Sequence, residues 1–287
     1  MGAELQNQCK CARGDTDLGT LVMVAKYPTP KRSKTRLGKK IGFDKSAAFA
    51  RASLLDLLHR FTPLDTRKVL LYAPLEAESL FSNLLEQEGL QHVWNLEPMT
   101  GGDNDTSSSD LGDRLKCALE TVRRTARKQG SVESVAFIGY DCLDLSLRDV
   151  RNLLLRVTEG PEYQAAIIPA NDGGYVALAL SGDVPSTVFE GVKWSAESTC
   201  ISQLQALSRD RVTRIHIGQS MSDIDEIDDL RKFKDRLRSE TKSISCQRTA
   251  AFLFSFDLPE SLDSKESDSK IKDTTIRNSS PSRPPSE

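Results

Sequence analysis

No apolar run in the sequence approaches the roughly 18 to 20 residues needed to cross a bilayer, and the N-terminus lacks the apolar core of a signal peptide. The expectation is a chain with no membrane span and a cytoplasmic address. "MGAELQ" carries Gln6 where a myristoylation signal requires Ser or Thr. Neither G-x-x-x-x-G-K-[ST] nor G-x-G-x-x-G occurs, which excludes a P-loop and a dinucleotide fingerprint. Histidine is scarce: His59, His92 and His216 have no nucleophile motif beside them, so a Ser-His-Asp or Cys-His reading has no support. The six cysteines lack paired metal spacing, and Cys9 and Cys11 of "CKC" have no matching pair, which leaves free thiols in a reducing compartment. A net charge of −2 gives no broad basic footprint for nucleic acid.

What is present is a globular composition with polar ends. Of 287 residues 38% are apolar and 28% charged, enough to bury a substantial core. Residues 1–18 are polar and aperiodic and are read as a flexible N-terminus. Residues 258–287 hold eight serines, four prolines and no aromatic, too little apolar surface to offset ordering entropy, and are read as a disordered tail. Between the main domain, 19–240, and that tail lies a segment, 241–257, whose "AAFLFSF" either docks its phenylalanines on the domain or offers them to a partner.

Inside the domain β-rich runs alternate with amphipathic stretches. Strands are expected at 21–25, 68–73, 92–96, 134–140, 165–170, 175–180 and 213–217. Helical periodicity follows at Ala47, Ala50, Leu54, Leu57, Leu58 and Phe61 behind a cap at Asp44, and at Leu115, Ala118, Leu119 and Val122 behind Asp110. This alternation predicts an α/β fold: a mixed, mostly parallel sheet of about seven strands covered by helices on both faces. Ligands in such sheets bind beyond the carboxyl ends of the strands.

Four kinds of residue stand at those ends. After the first strand, "YPTPKRSKTRL" packs Lys31, Arg32, Lys34 and Arg36 into one proline-bounded loop, either a solvated basic loop or a phosphate cradle. After the fourth, "IGYDCLDLS" puts Asp141 and Asp144 where they serve as turn formers or as oxygen ligands for Mg2+ or Mn2+, with Ser146 capping the next helix. "PANDGGY" is a hairpin signal in which Gly173 and Gly174 would also allow backbone to approach a ligand, Asp172 could meet a metal or a sugar hydroxyl, and Tyr175 opens a buried strand. In "WSAEST" Trp194 forms part of an acceptor pocket or covers core, ahead of a helix start at Ser195. In "SDIDEIDDL" Asp228 and Asp229 suit a helix start, while Asp223 and Asp225 alternate about Ile224 and project toward a site. "DLGDRL" reads as a capped helix start with Arg114 facing a ligand, after a lid-like "GGDNDTSSS".

In order, "AKYPTPKRSKTRLG", "DLGDRL", "IGYDCLDLS", "PANDGGYVALAL", "FEGVKWS" and "DIDEIDDL" resemble the selenodomain-associated transferase 1 family, proteins similar to nucleotide-diphospho-sugar transferases, over about residues 20–236. The resemblance implies a Rossmann-like glycosyltransferase-A (GT-A) fold that binds a nucleoside diphosphate, with more distant similarity to phospholactate guanylyltransferases. Carried over by position, it implies nucleotide binding by Lys26, Lys34, Thr35 and Arg36, and places Asp141, Asp172, Asp223 and Asp225 on the family's acidic positions. Lys31 stands where the family has Gly, Leu143 where it has Pro, Ala196 where it has Thr, and Glu226 where it has the Thr after D-I-D.

The resulting expectation is a metal-dependent transferase. Asp141, with Asp223 and Asp225, holds Mg2+ or Mn2+; Lys26, Lys34, Thr35, Arg36 and Arg114 hold the nucleotide; Asp141 and Asp172 are catalytic; Gly173, Gly174, Tyr175 and Trp194 meet the substrate. The partners are a nucleotide sugar and an unknown acceptor. The alternatives are a nucleotidyltransferase that releases pyrophosphate from a nucleoside triphosphate, and a non-catalytic nucleotide-binding or scaffold protein. All require the cations and acids to converge on one cleft.

Overall fold

The computed structural model describes residues 17–101, 110–158, 162–239 and 246–259. The expected N-terminal segment, the lid-like stretch and the tail fall almost wholly outside the described residues.

All seven expected strands form: β1 (Thr20–Lys26), β2 (Arg67–Ala73), β3 (Trp94–Pro98), β4 (Val135–Ile138), β5 (Ala165–Pro169), β6 (Tyr175–Leu180) and β7 (Ile215–Ile217). They build one sheet in the order β3-β2-β1-β4-β6-β5-β7. Only β6 runs against its neighbours; the β1–β2, β1–β4, β2–β3 and β5–β7 pairs are parallel. The inner strands are continuous apolar runs because both faces are covered. Val22, Val69, Leu71, Val135, Phe137, Ile167 and Leu178 form one core face, while their alternating neighbours Leu21, Met23, Leu70, Ile138 and Ala177 are buried on the other.

Eight α-helices accompany the sheet among the described residues: α1 (Thr35–Ile41), α2 (Phe43–Phe61), α3 (Glu78–Gln87), α4 (Leu111–Gln129), α5 (Leu147–Thr158), α6 (Thr199–Arg209), α7 (Ile227–Ser239) and α8 (Gln247–Phe254). α4 turns Leu115, Ala118, Leu119 and Val122 onto the first core face, joined by Phe189, whose ring meets Phe137 edge-on at 5.6 Å. α5 lies against β4, β5 and β6. α8 packs on α2, with Leu253 fully buried and Phe252 6.4 Å from Phe49.

Four local expectations are corrected. β3 starts at Trp94, leaving His92 in the preceding turn. The basic segment is not all loop, since Thr35 to Leu37 open α1. Asp44 is inside the first turn of α2, whose cap is Gly42 at φ 95°. α6 starts at Thr199, because Ser195 is held at φ 57° and cannot continue a helix. The Asp110 cap forms, accepting from the Asp113 amide at 2.9 Å, and Ser146 pairs reciprocally with Asp149 in a capping box.

The topology fixes where a ligand can sit. From β1 the chain steps outward to β2 and β3, then returns through α4 to place β4 on the other side of β1. This reversal makes the carboxyl ends of β1 and β4 the switch point of the sheet, where a crevice opens.

Candidate active site

At the switch point the loop after β1 is folded tightly on itself. Ser33 is buried; its hydroxyl accepts from the Thr29 amide at 3.0 Å and donates to the Tyr27 carbonyl at 3.3 Å. Two of its residues take left-handed backbone conformations that disfavour a Cβ, Lys31 at φ 65° and Lys34 at φ 48°. Lys31 is the position where the resembling family has glycine. Its conformation supplies the reason.

The left-handed turn sends the Lys34 side chain inward. Its ammonium lies 2.5 Å from Asp141 Oδ1 and 2.7 Å from Asp225 Oδ1, with the lysine side chain 4% exposed and the carboxylates 46% and 43% exposed. Burial opposes charge on Lys34, but the two carboxylates overcome it and raise its pKa above the ordinary lysine value. Asp141 stands just beyond the end of β4, and its carbonyl accepts from the Ile224 amide at 3.1 Å. That bond, with Ile224 buried, anchors the segment carrying Asp223 and Asp225 against the strand end. Asp229 fastens its other side by accepting from the amides of Asp225 and Glu226. Asp144 turns away to pair with Arg236 at 2.8 Å.

Three adjoining cavities run along this edge. The first, about 540 Å3, is walled by Lys26, Arg32, Lys34, Thr35, Arg36 and Arg114 opposite Asp141 and Asp225. Arg36 and Asp141 therefore face one cleft. A small hollow of about 110 Å3 gathers Asp141, Asp172, Gly174, Tyr175 and Asp223. The third, about 590 Å3, shares Arg36 and Asp225 with the first and continues to Asp172, Tyr175 and Trp194. Asp223 is pushed up to about 6 by burial first and then by the charges of Asp172 and Asp225.

Asp172 also does what its turn motif predicts, accepting from the Gly174 amide at 2.8 Å. Two of the expected substrate contacts look different in place. Gly173 is not among the residues lining these three cavities: at φ 92°, a Cβ there would fall 1.9 Å from the Glu197 carbonyl oxygen, so this glycine lets the hairpin meet the Trp194 segment. The Tyr175 hydroxyl is turned inside to Gln203 Oε1 at 3.2 Å, and burial raises its pKa. Trp194 packs against the core, as one of its alternatives had it, and also lines the third cavity. Sequence reasoning missed Gly112 of "DLGDRL", whose absent side chain leaves room for the Trp194 indole nitrogen, and Glu197 at the cavity wall.

Carboxylate oxygens are the donor type that hard divalent cations take. The Lys34 ammonium meets two of the four carboxylates, Asp141 and Asp225, while Asp172 and Asp223 line the hollow beside Asp141. Among the described residues no three such side chains converge as a closed metal cluster, and Lys34 lies between the two acids that would share an ion. No helix of the described residues is long and apolar enough to cross a membrane.

Comparison with known proteins bears on this arrangement. Residues 67–196 match a family model described as an uncharacterized protein conserved in bacteria, DUF2064. No curated protein matches the chain. A candidate nucleotide-diphospho-sugar transferase from Desulfovibrio desulfuricans G20 is similar with a TM-score of 0.68 and 24% identity, over 85% of this chain and 100% of that one. A cytidylyltransferase from Leptospira borgpetersenii gives 0.48 and 12%, over 91% and 100%. Glucosyl-3-phosphoglycerate synthase from Mycobacterium tuberculosis gives 0.46 and 12%, over 86% and 82%. The first likeness establishes the fold; the other two add no weight to it. Over residues 67–196, then, the chain matches the DUF2064 family model, and its fold is similar to that of a candidate nucleotide-diphospho-sugar transferase, in keeping with the resemblance read from the six motifs.

Proposed function

We propose that the protein is a metal-assisted transferase that binds a nucleoside diphosphate sugar at the carboxyl ends of β1 and β4 and passes the sugar to an acceptor. The observation that carries this reading is the buried Lys34 ammonium between Asp141 and Asp225, in a cavity that Lys26, Arg32, Arg36 and Arg114 also line. Lys34 is already paired with the two acids and Arg36 lies 3.8 Å from Glu226, and a diphosphate would be an anionic partner that the cations of this wall can share. Asp141 and Asp225, with Asp223, would hold Mg2+ or Mn2+, which supplies charge neutralisation at the departing diphosphate. Lys34 and Arg36 bind the phosphate oxygens and stabilise charge as it develops on them. Asp172, held in place by its bond to the Gly174 amide, orients the acceptor hydroxyl and takes its proton.

A second reading is nucleotidyl transfer with release of pyrophosphate. It is favoured by a further basic cavity of about 700 Å3, lined by Lys26, Lys31 and Arg32, which extends the cationic surface beyond what two phosphates would fill.

A thermal-shift panel of UDP, GDP, CDP and their sugars, and of the triphosphates, with Mn2+ or Mg2+ tests both. The matching nucleotide at a hundred times its dissociation constant raises stability by about 2.7 kcal/mol. Sugar release supports the first reading and pyrophosphate release the second. A protein that responds to no nucleotide refutes both. Asp141→Ala is expected to abolish metal-dependent binding.

A further inference from the structure

We propose that the 590 Å3 cavity beyond Arg36 and Asp225 receives an uncharged or cationic hydroxyl-bearing group and rejects phosphorylated and carboxylated ones. This rests on the transferase reading for its place in a reaction, but not for its physical basis. The two large cavities of the cleft carry opposite charge. On the nucleotide side five cations face two carboxylates. On the far side Asp172 and Glu197, with Asp225 already paired to Lys34 at 2.7 Å, face Arg36 alone, and the Arg36 side chain is 72% exposed and 3.8 Å from Glu226.

The remaining wall sharpens the chemistry. Leu111, Leu115, Phe137 and Ile138 make an apolar floor, with Tyr175 and Trp194 edge-to-face at 6.4 Å beside it. Carboxylates accept hydrogen bonds and donate none, so they select ligand hydroxyls or ammonium groups. Aromatic faces suit the C–H side of a ring and attract cations. A phosphate entering there would lose its hydration and gain one solvent-exposed guanidinium against the carboxylates of Asp172 and Glu197. The volume lies within the range of small-molecule sites and has room for a monosaccharide-sized group.

Trp194 reports on this cavity directly, because the other tryptophan, Trp94, is 2% exposed and shielded from quenchers. Collisional quenching of the full chain is measured with caesium, acrylamide and iodide at matched ionic strength. At ~0.1 M salt the screening length of about 10 Å exceeds the distance from a quencher inside the cavity to its carboxylates. With each quenching constant taken relative to that of free N-acetyltryptophanamide and the same quencher, caesium is therefore expected to quench at least about threefold better than iodide, with Trp194→Phe abolishing the effect and Glu197→Lys narrowing the ratio. Glucose, glucosamine and glucose 6-phosphate, one ring carrying three charges, are then compared for protection of Trp194 from acrylamide in the presence of the stabilising nucleotide. Protection by glucose or glucosamine exceeding that by the phosphate is expected. Iodide quenching equal to caesium quenching, or best protection by glucose 6-phosphate, overturns the proposal. The expected quenching pattern with no thermal response to any nucleotide would preserve the cavity's charge assignment and refute the transferase reading.

Discussion

Replacing Lys34 by methionine removes the ammonium while keeping most of the side-chain volume. Two carboxylates that touched the same nitrogen, at 2.5 and 2.7 Å, are then left about 5 Å apart at most, where two like charges repel by roughly 1 to 3 kcal/mol for an effective dielectric between that of water and that of a protein surface. Loss of one partner from a fully buried pair typically costs about 3–5 kcal/mol. Asp141 and Asp225 are nearly half exposed, so water recovers part of that, and the net expectation is about 2–4 kcal/mol. For a domain of this size each kilocalorie is worth about 2–4 °C, giving a fall of roughly 5–12 °C by differential scanning fluorimetry in metal-free buffer. The pH dependence follows from the raised folded-state pKa. The Lys34 contribution is fully present below the unfolded lysine value of 10.5 and is lost only as pH rises through the higher folded value, so the deficit stays flat from pH 7 to 9. Mn2+ should raise the melting temperature of the methionine variant more than that of the wild type, since the cation meets two uncompensated acids. Lys34→Gly separates the backbone contribution: glycine tolerates φ 48°, so it should be less destabilised than Lys34→Ala by about 1 kcal/mol. A methionine variant as stable as wild type without metal would refute the idea that this lysine holds the acids together.

Asp223→Asn is expected to stabilise the metal-free protein at pH 7.5 by about 1–3 kcal/mol, because a carboxyl whose folded pKa is raised to about 6 penalises the fold once both states are ionised. The gain should vanish below pH 4, where both states are protonated, and urea midpoints at the two pH values check it. Gly173→Ala should cost at least about 3 kcal/mol, combining a strained φ of 92° with a Cβ driven into the Glu197 carbonyl, and should alter Trp194 emission. Arg36→Ala, at an exposed side chain, should leave the melting temperature unchanged while weakening nucleotide binding by about tenfold or more, read by titration calorimetry.

The parts of the fold legible in the sequence are those written as local pattern. Inner strands read as apolar runs because both faces are covered, and Asp110 and Ser146 announce their helices through side-chain caps. α1 was invisible for the complementary reason: it has seven residues, and its cap is Lys34 in a left-handed conformation with no side-chain cap bond. The same conformation hid the most informative contact of the site. A lysine in a basic loop pointed to phosphate, yet its partners in the folded chain are acids, Asp225 lying 191 residues away. Sequence supplied the two signs of charge and their placement at strand ends, but the pairing depends on a backbone turn that disfavours every residue except glycine. Among the described residues, three of the four non-glycine residues with positive φ, Lys31, Lys34 and Ser195, line these cavities, so strain is concentrated there. Strain persists only where surrounding structure over-determines it. Here the Ser33 bonds and the two carboxylates do so for the loop, and the Thr199 hydroxyl, bonded to Lys193 and Ala196, does so for the Trp194 segment. The fold thus holds a cationic wall and an aromatic, acidic wall in fixed opposition, and each can be tested without knowing the substrate.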